Sequence, residues 1–96
     1  MLVWDEKKRA ANLVKHKLDF ADAYLVYDNP SKLTRESGRE GEKRNADIAV
    51  IKVFGAGGGA CLTLVYVERG KDVRVISFHN ASRKERKLYA ESCEQD

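Results

Sequence analysis

Midway along the chain the apolar residues change their period, and this change constrains the fold more than any other feature. Residues 46–54 (ADIAVIKVF), 61–68 (CLTLVYVE) and 73–78 (VRVISF) are dense in β-branched and aromatic side chains. That is the composition of strands half-buried in a sheet. The separators are turn chemistry: a glycine run, Gly55-Ala56-Gly57-Gly58-Gly59-Ala60, then Arg69-Gly70-Lys71-Asp72. Short separators of this kind join antiparallel neighbours, so the three segments are expected to form a meander. In the last strand, simple alternation puts Val73, Val75 and Ser77 on one side and Arg74, Ile76 and Phe78 on the other.

Before the meander the period is helical. Ala10, Leu13, Val14 and Leu18 predict a helix over residues 6–17, with Asp5 as its N-cap. Phe20, Ala23, Tyr24 and Tyr27 predict a second, shorter helix after Asp19, ended by Asp28-Asn29-Pro30. Residues 31–45 (SKLTRESGREGEKRN) are polar and read as a surface loop, of a length that is often functional. Residues 2–4 read as an edge strand. Ser82-x-x-Glu85 is a capping box, and it opens a helix from Arg83 to about Ser92, with Leu88 as its main apolar residue. The order β-α-α-β-β-β-α predicts an α+β fold: two N-terminal helices, an antiparallel sheet of three to four strands and a C-terminal helix, the helices on one face.

At 96 residues the chain is expected to be a single domain spanning 1–96. Its 43% hydrophobic content excludes disorder, and no run approaches the roughly 18 apolar residues of a membrane helix. Charge arrives at Asp5, too early for a secretory segment. Cys61 and Cys93 lack Cys-x-x-Cys spacing, which argues against a zinc or disulfide scaffold and for a reducing cytoplasm. The net charge is only +3, but it is unevenly placed. From Arg69 to Tyr89 seven basic residues (Arg69, Lys71, Arg74, Arg83, Lys84, Arg86, Lys87) face two acids, Asp72 and Glu85. Such a patch suits a phosphate backbone, although many charge runs are merely solvated.

The glycine run is not a phosphate loop, because Ala60, Cys61 and a strand follow it where a lysine, a hydroxyl and a helix are needed. His16, beside Lys15 and Lys17, reads as a helix C-terminal residue favoured by the dipole. His79 closes the last strand and can give or take a proton. Neither histidine has a Cys, Asp or Glu at ligand spacing, so neither a metal nor a cofactor is expected.

Taken together, several short motifs resemble the BrnT toxin family. They are Trp4-Asp5-Glu6-x-Lys8, Asn12-x-x-Lys15-His16, Phe20-x-x-Ala23, Gly41-Glu42-x-Arg44, Val65-Tyr66-x-Glu68-Arg69-Gly70, Arg74-x-Ile76-Ser77 and Ala81-Ser82-x-x-Glu85-Arg86-x-x-Tyr89. The resemblance implies a RelE-like ribonuclease toxin of a type II toxin–antitoxin system. It implies a BrnA-type ribbon-helix-helix antitoxin as partner, RNA as substrate, and operator DNA reached through the antitoxin. It also implies metal-free cleavage, in which the 2′-hydroxyl attacks the adjacent phosphorus. The positions that match the family's catalytic groups are Arg44, Arg74, His79, Arg83 and Tyr89. Lys8, Glu42, Lys84, Arg86 and Lys87 are further candidates for RNA contact. Two residues depart from the family pattern: His79 stands where relatives usually carry arginine, and Lys17 where they usually carry glycine. The first departure keeps a second reading open, a non-catalytic module that binds antitoxin and operator.

Overall fold

Asp5 has an extended backbone, and its carboxylate accepts the Lys7 N–H at 2.8 Å. Helix α1 (Glu6–His16) therefore starts where the sequence places its cap. It ends at Lys17, whose φ of 61° and ψ of 23° lie in the left-handed region and whose N–H reaches the Leu13 carbonyl at 3.0 Å. Among the described residues Lys17 is the one non-glycine residue with positive φ. A helix end of this kind favours glycine, since a Cβ is strained there. The glycine that the resemblance leads one to expect after His16 would relieve this strain, which a lysine carries here.

The computed structural model describes residues 1–39, 42–52 and 59–94. Asp19 repeats the capping geometry, accepting the Ala21 N–H at 3.0 Å. The expected second helix is split into a 3-10 turn (Phe20–Asp22) and a single α turn, α2 (Tyr24–Tyr27). Phe20, Ala23 and Val26 are fully buried at three-residue spacing.

Among the described residues five strands follow the order β1-β5-β4-β3-β2. They are β1 (Leu2–Val3), β2 (Leu33–Arg39), β3 (Glu42–Lys52), β4 (Gly59–Arg69) and β5 (Asp72–Asn80). β2 to β5 run antiparallel, whereas β1 pairs parallel with β5 through Leu2↔Val73 and Val3↔Arg74. The C-terminal helix α3 (Arg83–Glu94) begins at the expected capping box: the Ser82 N–H donates to Glu85 Oε1 at 2.8 Å, and the Glu85 N–H donates to Ser82 Oγ at 3.1 Å.

The α+β class holds, with four corrections. Within the segment read as a surface loop (31–45), Leu33–Arg39 and residues 42–45 are strand instead, because β2 pairs with β3 from Leu33↔Ile48 to Arg39↔Glu42. An edge strand is held by its ladder rather than by hydrophobic side chains, so polar residues can form it. The sheet accordingly has five strands and is mixed. The helices also lie on both faces. Phe20, Ala23 and Val26 pack on Ala49, Leu62, Leu64, Tyr66, Val75 and Phe78, while α3 covers Ile48 and Thr63 on the opposite side. Finally, the alternation expected in β5 breaks. Val65 pairs with Ser77 and Tyr66 with Val75, which leaves Ile76 as the extra residue of a β-bulge. The glycine-run hairpin falls mostly on residues 53–58, outside the described residues.

Among the described residues the buried face holds one carboxylate, Asp47, with 0% exposure. It accepts hydrogen bonds from Lys32 Nζ at 2.8 Å, Thr34 Oγ1 at 2.7 Å and the Tyr66 hydroxyl at 3.0 Å. Burial, then the charge of Asp47, pushes the Tyr66 phenol well above its ordinary range. This network ties β2 to the core that its polar sequence cannot reach alone.

Candidate active site

Cross-strand partners share a face of a sheet. Three rows follow on the face away from Phe20. The first is Ile48, Thr63 and His79; the second is Ala46, Val65 and Ser77; the third contains Val67 and Arg74. Arg44, two residues before Ala46, belongs to this same face and extends the third row on β3. Two strand spacings separate the Arg44 and Arg74 backbones, about 10 Å. The bulge at Ile76 is what puts Arg74, Ser77 and His79 on one face. Without it, alternation would turn Ser77 and His79 toward the core.

His79 is held from two sides. Its Nδ1 lies 3.0 Å from Ser77 Oγ, and its Nε2 lies 3.7 Å from Glu85 Oε1. Burial pushes the Glu85 carboxyl up, but the Ser82 N–H and hydroxyl and the charge of His79 together hold it below its usual value. Glu85 thus serves both the helix cap and the histidine.

α1 lies along the part of the β5 edge that the two-residue β1 leaves uncovered. Asn12 makes this contact: its Nδ2 donates to the Phe78 carbonyl at 2.8 Å and the Leu18 carbonyl at 3.0 Å, and its Oδ1 accepts the Phe78 N–H at 3.2 Å. The side chain completes the ladder where no strand does. Between α1 and the bulge lies a pocket of about 360 Å³ lined by Lys8, Asn12, Lys15, His16, Ile76 and Ser77. The His16 and His79 rings stand 5.6 Å apart, centroid to centroid. Burial, followed by the charges of His79 and Lys15, holds the His16 imidazole below its ordinary value.

The structure therefore brings together Lys8, His79, Arg44 and Arg74 around one face and its α1 edge. Arg83 begins α3 beyond the end of β5, and Arg83, Lys84, Arg86 and Lys87 are solvent-exposed. Tyr89 points elsewhere: its hydroxyl is near Cys93 and the Val50 backbone, and burial, then the Cys93 contact, raises its pKa. Glu42 opens β3, and its side chain lies outside the described residues. Sequence reasoning missed Asn12, Lys15, His16, Ser77 and Glu85 as parts of the site. The available signal was the spacing Lys8, Asn12, Lys15, His16, which forms one helical stripe. Among the described residues no group of three or more His, Cys, Asp or Glu side chains could hold a metal ion, and no helix is long and apolar enough to cross a membrane.

An α+β protein with imidazole and guanidinium groups on one sheet face has the chemistry to handle phosphodiesters. The family described as ribonuclease toxin, BrnT, of type II toxin–antitoxin systems matches residues 4–85, and the chain belongs to that family. Membership makes it, at family level, a ribonuclease toxin with an antitoxin as partner. A search of curated proteins found no match.

Proposed function

We propose that this chain is a metal-independent endoribonuclease, the toxin of a type II pair, acting in the cytoplasm. Transfer of the 2′-hydroxyl oxygen to phosphorus needs a base, an acid for the departing 5′-oxygen, and cations for the charge that builds on phosphorus. The observation that carries the reading is that His79 shares one sheet face with Arg44 and Arg74. The arginines clamp phosphate oxygens, and His79 transfers a proton. Lys8, Arg83, Lys84, Arg86 and Lys87 extend the cationic track along which RNA lies, while Tyr89, turned toward Cys93, stands off it. Residues 1–96 act as a single RelE-like toxin domain. A BrnA-type ribbon-helix-helix antitoxin holds the toxin inactive and carries it to operator DNA.

Purified chain, free of antitoxin, is incubated with RNA in the presence of EDTA. Cleavage is expected to persist, leaving 2′,3′-cyclic or 3′-phosphate ends. Products ending in a 3′-hydroxyl rule out attack by the 2′-oxygen. Intact RNA at every pH favours the non-catalytic module.

A further inference from the structure

Resting on the ribonuclease reading above, we propose that His16 is a second catalytic residue, the base that complements His79 as the acid. The two imidazoles come from opposite ends of the chain, the last turn of α1 and the end of β5, yet their rings are 5.6 Å apart. That spacing lets one phosphodiester contact both.

Their surroundings divide the labour. His79 faces Glu85, whose Oε1 is 3.7 Å from Nε2, and Ser77, whose hydroxyl is 3.0 Å from Nδ1. A carboxylate at that position stabilises an imidazolium. His16 faces cations instead: Lys15 is adjacent in sequence, and Lys8 and Lys15 line the same pocket. Two like charges 5.6 Å apart also oppose each other, so protonating one ring discourages protonating the other. The carboxylate beside His79 suits it to give a proton, and the lysines beside His16 suit that ring to take one. Two titratable groups in contrasting environments are the signature of an acid and a base.

The step balances. The neutral ring of His16 takes the 2′-hydroxyl proton as O2′ bonds to phosphorus. The bond from phosphorus to the 5′-oxygen breaks, and that oxygen takes the proton of His79. The enzyme is left with His16 charged and His79 neutral, and exchange with water restores the starting state. Lys8 and Lys15, beside the pocket, offset the charge on the phosphoryl oxygens.

The test uses the full chain on two substrates: RNA, and a uridine 3′-(p-nitrophenyl phosphate) whose leaving group departs without a proton. On RNA, His16→Ala and His79→Ala are each expected to lower kcat/KM by about 10²–10⁴-fold. On the p-nitrophenyl ester, His79→Ala recovers to within about tenfold of the wild type, while His16→Ala stays impaired. The wild-type profile is a bell whose acid limb is lost in His16→Gln, a variant that keeps the side chain's polarity. If His16→Ala and His16→Gln both cut RNA at the wild-type rate with both limbs present, the pairing is overturned and the ribonuclease reading stands. Rescue of His16→Ala rather than His79→Ala by the activated ester overturns the assignment of base and acid. Failure of the wild type itself to cut RNA sinks the ribonuclease reading, and the pair with it.

Discussion

Asn12 brackets Phe78: one side-chain amide engages both the carbonyl and the N–H of a single strand residue, at 2.8 and 3.2 Å. Alanine at position 12 strands both groups and removes the donor to Leu18. Asn12→Ala is expected to lower stability by about 1–3 kcal/mol, the cost of unsatisfied buried polar groups. Chemical denaturation measures it. Unchanged stability would mean that water completes the edge instead.

Lys32 and Asp47 form an ion pair with the carboxylate fully buried and the lysine one-quarter exposed. Lys32→Met leaves that charge without its cation and is expected to cost about 3 kcal/mol. Pairing it with Asp47→Asn should recover much of the loss, since the charge is then gone. A double variant no more stable than Lys32→Met would show that the buried charge is not the source of the loss.

Lys17 occupies left-handed backbone. Lys17→Gly is expected to raise stability by about 1 kcal/mol by removing the Cβ strain. A lower thermal midpoint would show that the greater freedom of glycine in the unfolded chain outweighs that strain.

Acid should weaken the fold in two stages. His16 titrates below its ordinary value in the fold, so the unfolded chain takes up its proton first, as pH falls through roughly 6.5. Stability is full above that value and declines toward the lower folded one. Asp19 is held at about 2, chiefly by its hydrogen bond from Arg9 and then by the Ala21 N–H. Its contribution is present above the unfolded value of about 3.9 and is lost as pH falls through the folded one. Denaturation midpoints across pH should lose the upper stage in His16→Ala and the lower in Asp19→Asn.

His79→Arg puts a guanidinium where the imidazole stands. A guanidinium holds its proton, so this variant can stabilise charge but cannot exchange a proton. It is expected to bind RNA as well as the wild type while cleaving it more slowly, with a flatter pH–rate profile. A fully active variant with an unchanged profile would remove His79 from proton transfer.

Local signals were readable from the sequence. Asp5, Asp19 and the Ser82–Glu85 box cap where their spacing says they should, because a cap is decided within four residues. The three apolar strands and the cationic bias near β5 and α3 were legible for the same reason. β2 was not, since its backbone is satisfied by β3 and its side chains carry little apolar signal. Nor was Asp47, which reads as a surface carboxylate until Lys32, Thr34 and Tyr66 converge on it. The meeting of His16 with His79 depends on α1 lying along β5, and that placement is made by Asn12, not by any periodicity.

The extra residue at Ile76 makes the candidate face a matter of parity. Arg74 and His79 differ by an odd number of positions, which in an unbroken strand would send them to opposite sides of the sheet. Flattening the bulge with all residues kept would leave every chemical group present and separate them with a layer of backbone, whereas deleting Ile76 makes the spacing even and keeps them on one face. In this strand the register, and not the side chains alone, decides which groups meet on that face.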